Sequence, residues 1–353
     1  MRKPILALSA LLLASASTVL AQASANQAAG RTTPSPLAPS EIVANAPKGD
    51  WTAIAASDLL VMDLTPDAKG KPRRVVIQLM PAPFSQGWIG NIRKLAAAHW
   101  WDGTAINRVQ DNYVVQWGDP DAEDKTKARA LPAGLAEVPE SDYTSAVREE
   151  LIDDPIVHGH TVRPFLVEMP WNNSPIGDPS VIAADDYAAR VGFWAGWPLA
   201  GTPPKRGLGE VGRLWPVHCY GMVGVGRDLS PNTGSGAELY TVIGHAPRHL
   251  DRNIALVGRV IEGMEHLSSL PRGHGALGFY DLAQGDERTG ITSIRLGNEV
   301  QGLPAYEYLS TESQSFASFA DARANRRDAF FIRPAGGADV CNIPVPVRRV
   351  ATK

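Results

Sequence analysis

The stretch AINRVQDNYVVQWGDP, residues 105–120, contains two short runs of β-forming residues on either side of a polar turn. Alternation in a strand places Arg108 on the same face as Ile106 in the first run, and Gln116 closes the second run beside Val114. An arginine on a half-apolar strand face needs water, a carboxylate or a bound molecule as its partner, because an unpaired buried guanidinium is costly. The neighbouring segments must decide which partner Arg108 has.

The segments around this stretch follow one another in a regular order of strands and helices. Two β-runs, Leu59 to Leu64 and Arg74 to Met80, are separated by an Asp/Gly/Pro turn and predict a hairpin. A helix is predicted after the hairpin, because apolar residues recur there at helical spacing: Trp88, Ile92, Leu95 and Ala96. Further strands are predicted within residues 217–226, 237–246, 254–263 and 289–297, with a short helix at 264–270.

Four segments, residues 73–96, 100–120, 220–240 and 249–265, resemble in sequence and in order those of the cyclophilin-type peptidyl-prolyl isomerases. Within 100–120, the residues shared with the family signature are Asp102, Gly103, Thr104, Arg108, Val109, Gln116, Gly118 and Asp119. The resemblance implies a mostly β fold, in which a closed eight-stranded antiparallel barrel is capped by two helices. It also implies an isomerase that uses no cofactor and no metal.

The same resemblance implies which residues would handle a proline-containing peptide. Arg108 matches the catalytic arginine, Tyr113 the first aromatic residue of the proline pocket, and Gln116 the glutamine that binds the peptide backbone. The other pocket positions are matched by Met222 and Leu250 at the apolar floor, His249 at the rim, Ile254 in place of a histidine, and Leu239 or Tyr240 as the second aromatic position.

These residue types suit rotation about an X-Pro bond, a reaction that needs no nucleophile. The barrier of about 18–20 kcal/mol comes from amide resonance. As the bond twists, the prolyl nitrogen becomes more basic, so a fixed donor such as Arg108 stabilises the transition state more than the ground state. The alternative is a surface arginine paired with Asp102 or Asp119.

Two substitutions leave a second function open. Gly224 stands where the family has an asparagine, and Ile254 where it has a histidine. The chain could therefore be a peptide- or protein-binding module of the cell envelope with weak catalysis, whereas Arg108 and Gln116 favour the enzyme.

The rest of the chain divides into segments of different composition. Residues 1–21, with Arg2, Lys3 and a following apolar run, predict a cleaved signal peptide, and the small polar residues of 22–50 predict a flexible linker. We expect the cyclophilin-like domain at 51–301, with a tryptophan-rich loop insertion at 121–216 that packs on the barrel and forms a rim of the groove. A C-terminal extension, 302–353, should contain a helix capped by Thr311.

The charge and the cysteine content limit the possible location and partners of the protein. The formal net charge of -3 shows no basic excess for nucleic acid. The expected partners are proline-containing polypeptides and exported client proteins, in the periplasm or outside the cell, with no stable membrane insertion after signal cleavage. Cys219 and Cys341 are the two cysteines of the chain, and in an oxidising compartment they either form a disulfide or remain separate thiols.

Overall fold

The computed structural model describes residues 36–147, 185–202 and 212–351 of the 353-residue chain. The predicted signal peptide, residues 1–21, lies outside these ranges. The strands are β1 Trp51–Ile54, β2 Leu59–Leu64, β3 Arg73–Leu79, β4 Ala105–Val109, β5 Val114–Gly118, β6 Ser145–Val147, β7 Arg190–Trp194, β8 Trp197–Thr202, β9 Gly212–Pro216, β10 Met222–Val225, β11 Leu239–Val242, β12 Leu256–Glu262, β13 Ile291–Leu296, β14 Tyr306–Leu309 and β15 Val347–Arg349. The α-helices are α1 Pro39–Asn45, α2 Gln86–Ala97, α3 Glu265–Ser268 and α4 Gln314–Ala324.

The central element is the predicted eight-stranded antiparallel barrel. Its strand order is β13-β2-β3-β12-β10-β11-β5-β4. Backbone hydrogen bonds from Gly103 N to Ile291 O (2.9 Å) and from Ile291 N to Thr104 O (2.8 Å) join the two outer strands and close the barrel. The mostly β fold and the barrel are therefore confirmed.

The barrel core is filled by apolar side chains from the strands, from the two capping helices and from the segments that flank them. Helix α2 buries Trp88, Ile92 and Leu95 completely in this core, as its helical spacing predicts. The second cap, α3, is a single turn of four residues whose Leu267 is buried. The two helices that the resemblance implied are present, but they differ greatly in length.

The insertion at 121–216 contains a four-stranded antiparallel sheet of order β6-β9-β8-β7 rather than a loop alone. Trp197, Trp215 and Leu199 of this sheet are buried in the same apolar cluster as the barrel. The expectation that the tryptophans pack on the barrel holds for Trp197 and Trp215, whereas Trp171 lies outside the described residues. The sheet escaped prediction because its strands contain Gly and Pro and depend on packing against the barrel.

A third sheet and the helices α1 and α4 bring the two ends of the described chain together. Strand β14 pairs with β1 and with β15, so β1 belongs with the C-terminal extension rather than with the barrel. Helix α1 packs Ile42 and Val43 against the apolar cluster that contains Phe316 and Phe319 of α4. The prediction of a flexible linker up to residue 50 is therefore wrong for residues 39–50, because α1 has apolar partners far along the chain.

Two further details concern the extension. Helix α4 is capped by Ser313, whose Oγ accepts a hydrogen bond from Phe316 N at 3.1 Å, so the cap predicted at Thr311 is wrong by two positions. Cys341 forms a disulfide with Cys219, with the Cα atoms 5.1 Å apart. Of the two alternatives for the cysteines, the structure shows the disulfide.

Candidate active site

An open groove of about 910 Å³ runs along the outside of the barrel over β4, β5 and β11. The groove is also lined by Leu250 and Ile254, at and after the single turn Arg248–Leu250, and by Phe279. Six of the residues predicted from the resemblance line it: Arg108, Tyr113, Gln116, Tyr240, Leu250 and Ile254. The structure therefore brings most of the predicted site together.

Arg108 faces the groove because β4 is irregular. Ile106 is fully buried in the barrel core, and the register of β4 against β5 shifts between Ile106 and Arg108. The expectation that the two residues share a face is wrong, since this bulge reverses the alternation. Neither alternative partner is used: Asp102 accepts from Arg295 at 2.7 Å, and Asp119 accepts from backbone N–H groups.

The Arg108 guanidinium is held in one orientation within the groove. Its Nε donates to Leu277 O at 2.7 Å, and its terminal nitrogens donate to Gln116 Oε1 at 3.3 Å and to Gln110 Oε1. Its Cζ lies 5.6 Å from the centre of the Tyr113 ring and 5.3 Å from that of Phe279. Burial lowers the pKa of Arg108 from its usual value, yet an arginine keeps its charge at neutral pH.

Gln116 is fixed from both sides of its amide. Its Nε2 donates to Glu238 Oε2 at 2.7 Å, while its Oε1 accepts from Arg108. Burial raises the pKa of Glu238, and the hydrogen bond from Gln116 partly opposes that rise. The sequence did not point to Glu238, because the orientation of a carboxylate across two strands depends on their register.

The apolar part of the groove is a small cluster on the outer face of the barrel. Val114, Tyr240 and Val242 are buried there, with Tyr113 and Ile254 packed against them. Tyr240 pairs with Gln116 in the sheet, whereas Leu239 pairs with Trp117 and points into the barrel core. Of the two candidates for the second aromatic position, Tyr240 is therefore the residue that lines the groove.

Two of the predicted residues are not among those that line the groove. Met222 does not line the groove: it is 4% exposed and belongs to the barrel core. A register shift after Val223 separates Met222 from the groove face, which Tyr240 covers instead. His249 is exposed at the edge of the groove, where its ring stacks on Tyr113 with the ring centres 6.4 Å apart.

Among the described residues of the insertion, those that line the groove come from its first part. They are Ala122, Glu123, Ala128, Arg129 and Leu131. No residue of the insertion's four-stranded sheet is among those that line the groove.

Phe279 is a further groove residue that the sequence did not reveal. It lies more than 160 residues after Arg108, and the bridge between them is isolated, so no local pattern marks it. Within the described ranges, no group of three or more His, Cys, Asp or Glu side chains is placed to hold a metal ion. No helix in those ranges is long and apolar enough to cross a membrane.

The fold and the groove together define a cyclophilin barrel, and the comparisons agree. Residues 73–280 match the family model of the cyclophilin type peptidyl-prolyl cis-trans isomerase/CLD. The chain belongs to this family of isomerases. A search of curated proteins gave no match.

A solved cyclophilin structure resembles the chain in fold, and a second one was compared with it. Cyclophilin AquaCyp293 from Hirschia baltica is 19% identical, with a TM-score of 0.56 over 86% of this chain and 95% of its own. A cyclophilin type peptidyl-prolyl cis-trans isomerase of Cryptosporidium parvum is 12% identical, with a TM-score of 0.36 over 67% of this chain and 97% of its own.

Proposed function

We propose that this isomerase is exported and acts as a folding helper on X-Pro bonds of proteins in the periplasm or outside the cell, with Arg108 stabilising the twisted amide. The observation that carries the catalytic role is the orientation of Arg108. Of the five N–H donors of an arginine, three are used within the described chain, which leaves two. These two belong to a guanidinium placed beside the apolar cluster of Tyr113 and Tyr240.

The chemistry follows from what changes as the bond twists. The prolyl nitrogen loses conjugation and becomes a better acceptor, so a donor beside it binds the transition state more strongly than the planar substrate. The surrounding rings and Gln110, Gln116 and Leu277 O hold the donor in place before substrate arrives. The groove also excludes part of the water, which strengthens the hydrogen bond.

The test is a protease-coupled isomerisation assay on a short X-Pro peptide. Arg108→Ala should lower kcat/KM by roughly 10², because the lost hydrogen bond contributes a few kcal/mol in the transition state. Arg93→Ala is the matched control, since Arg93 is a partly exposed arginine paired with Asp58 at 2.9 Å outside the groove. Equal turnover by Arg108→Ala and the parent would overturn the role of Arg108.

The export of the protein is supported by two features. The N-terminal residues have the composition of a signal peptide, and disulfides persist in oxidising compartments. Cell fractionation of the full chain should recover a shortened protein that begins after residue 21. A full-length protein in the cytoplasm would reject this part of the proposal.

A second candidate function is a peptide-binding module with weak catalysis. Three of the Arg108 donors are engaged within the chain, and Ile254 replaces the histidine of the family. In that case the parent protein would bind the peptide but accelerate its isomerisation only weakly. Calorimetric binding and the coupled assay, carried out on the same peptide, separate the two functions.

A further inference from the structure

A continuous set of buried polar groups lies behind Tyr240. The Tyr240 hydroxyl is 2.8 Å from His218 Nε2, and His218 Nδ1 is 2.8 Å from Asp251 Oδ1. Arg248 Nε donates to Asp251 Oδ2 at 2.6 Å, and its terminal nitrogens donate to both carboxylate oxygens of Asp185 at 2.6 and 3.1 Å. The side chains of His218, Asp251, Arg248 and Asp185 are each less than 5% exposed.

The direction of the hydrogen bonds follows from the partners. Asp251 accepts from Arg248 and from the backbone N–H of His218, so it is a carboxylate and also accepts a hydrogen bond from the Nδ1–H of His218. Burial lowers the pKa of His218, which therefore stays neutral and accepts through Nε2. Tyr240 is the donor in this bond, and burial raises its pKa so that the phenol keeps its proton.

These groups contact both walls of the proline pocket. Tyr240 lies in the apolar cluster of the groove, and the single turn Arg248–Leu250 carries Leu250 and His249 at the edge. Asp251 binds the turn through Arg248 and the opposite wall through His218. One carboxylate therefore links the two walls of the pocket.

Gly224 independently indicates that the Tyr240 hydroxyl has a fixed position. A Cβ atom at residue 224 would lie 2.3 Å from the Tyr240 hydroxyl and 2.4 Å from its Cζ. Any side chain there would displace the phenol from His218. The glycine that replaces the asparagine of the family is therefore required by the Tyr240 hydrogen bond.

A network of buried charges favours a single geometry, because breaking any of its bonds leaves a charge or a polar atom without a partner. We propose that His218, Asp251 and Arg248 are positioning residues that hold Tyr240 and the Leu250 turn at a fixed separation for the proline ring, and that Asp185 ties this pocket to the insertion. The inference rests on the proposed function, since the pocket is taken to hold a proline. It assigns a role to residues that do not contact the substrate.

The expected signature is a change in peptide binding rather than in the chemical step. The pocket walls contact the ring in the ground state and in the transition state alike, so loosening them removes uniform binding. KM should then rise while kcat stays nearly constant. Arg108→Ala has the opposite signature, because it removes an interaction made mainly in the transition state.

The experiment compares Tyr240→Phe with Thr241→Val in the full exported chain. Both variants remove one buried hydroxyl from neighbouring residues of β11, but the Thr241 hydroxyl donates to Met222 O at 3.1 Å on the core side. Tyr240→Phe should raise KM, and the Kd of the X-Pro peptide, by about fivefold with kcat within about twofold, on the scale of one lost hydrogen bond. Thr241→Val should leave both constants within about twofold of the parent.

The outcomes separate this inference from the proposed function. Repeating the Kd measurement in the Arg108→Ala background tests the pocket when turnover is strongly reduced, and the effect of Tyr240→Phe should persist there. Equal KM and Kd for the two variants would overturn the positioning role even if the parent is active. A parent that binds the peptide without turnover overturns the catalytic proposal alone, and a parent that does not bind it overturns both.

A second variant tests the ion pair that connects Arg248 to the insertion. Asp185→Asn keeps the shape of the side chain but removes the charge that Arg248 faces. It should raise the peptide Kd in the same direction as Tyr240→Phe, by about two- to threefold, because the turn keeps its bond to Asp251. An unchanged Kd would show that Asp185 does not help to position the pocket.

Discussion

At the scale of single residues, the groove combines a fixed cation with a buried carboxylate. Arg108 and Glu238 do not pair directly, because Gln116 lies between them and bonds to both. Its amide is oriented by this arrangement, with the oxygen toward the guanidinium and the nitrogen toward the carboxylate. The arrangement fixes the residue expected to bind the peptide backbone, but it keeps a desolvated charge at Glu238.

The desolvated charge leads to a pH-dependent stability prediction. The folded-state pKa of Glu238 is raised, so the folded protein holds this proton more tightly than the unfolded chain, and folding loses stability as pH rises through that pKa. Glu238→Gln keeps a group that can accept from Gln116 and removes the charge. Its free energy of unfolding in urea should therefore exceed that of the parent at pH 7, and the difference should shrink toward pH 4.

The control for this prediction is Glu299→Gln, which removes a charge from an exposed carboxylate. A difference between parent and Glu238→Gln that is constant from pH 4 to 8 would contradict the buried-charge explanation.

At the scale of elements, the sequence predicts those strands and helices whose residues show their own periodicity. The strands of the hairpin β2-β3 lie within one residue of their predicted bounds, and helix α2 contains all four residues whose spacing predicted a helix. The bulge at Arg108 and the choice between Leu239 and Tyr240 depend on strand register, which one strand does not determine. Helix α1 and strands β7 to β9 were missed for a related reason, since their stability comes from distant partners.

The disulfide connects two elements that are far apart in sequence. Cys219 precedes β10 in the barrel, and Cys341 lies in the extension, 122 residues later. Closing a loop of that length stabilises the folded state by about 4 to 5 kcal/mol through the entropy of the unfolded chain. Adding a reductant to the unfolding buffer should therefore lower the urea midpoint of the parent clearly.

A double variant, Cys219→Ser with Cys341→Ser, separates the bridge from other effects of the reductant. Its urea midpoint should equal that of the reduced parent and should not respond to the reductant. If the reductant leaves the parent unchanged while alkylation shows two free thiols, the bridge does not contribute to stability.

At the scale of the whole molecule, three sheets meet at one buried arginine. Arg259 of β12 donates to Gln78 Oε1 in the barrel at 2.7 and 2.9 Å and to Gly196 O in the insertion at 2.6 Å. Its Cζ lies 4.5 Å from the centre of the Trp197 ring and 5.9 Å from that of Tyr308 in β14. Burial lowers its pKa to about 10, so it remains charged at neutral pH.

This junction explains why the insertion and the extension are parts of one folded unit. The guanidinium uses its planar fork to bind an amide of the barrel and a carbonyl of the insertion at the same time, which a lysine ammonium does less well. A Cβ at Gly196 would lie 2.6 Å from the Tyr308 ring, so the insertion turn also approaches the C-terminal sheet closely. Replacing residues 121–216 by a short linker would remove Trp197 and Trp215 and would therefore expose the part of the barrel core that they cover.

The corresponding prediction concerns Arg259 itself. Arg259→Ala should lower the free energy of unfolding by about 3 to 5 kcal/mol, because it leaves Gln78 Oε1 and Gly196 O buried without their donor and opens a cavity between two rings. Arg259→Lys should recover only part of that loss.

Arg74→Ala is the control, since Arg74 is partly exposed and pairs with Asp63 at 2.7 Å, a surface pair that contributes about 1 kcal/mol or less. Urea unfolding followed by tryptophan fluorescence measures all three variants. Similar losses for Arg259→Ala and Arg74→Ala would show that the three sheets are held together by apolar packing and not by this arginine.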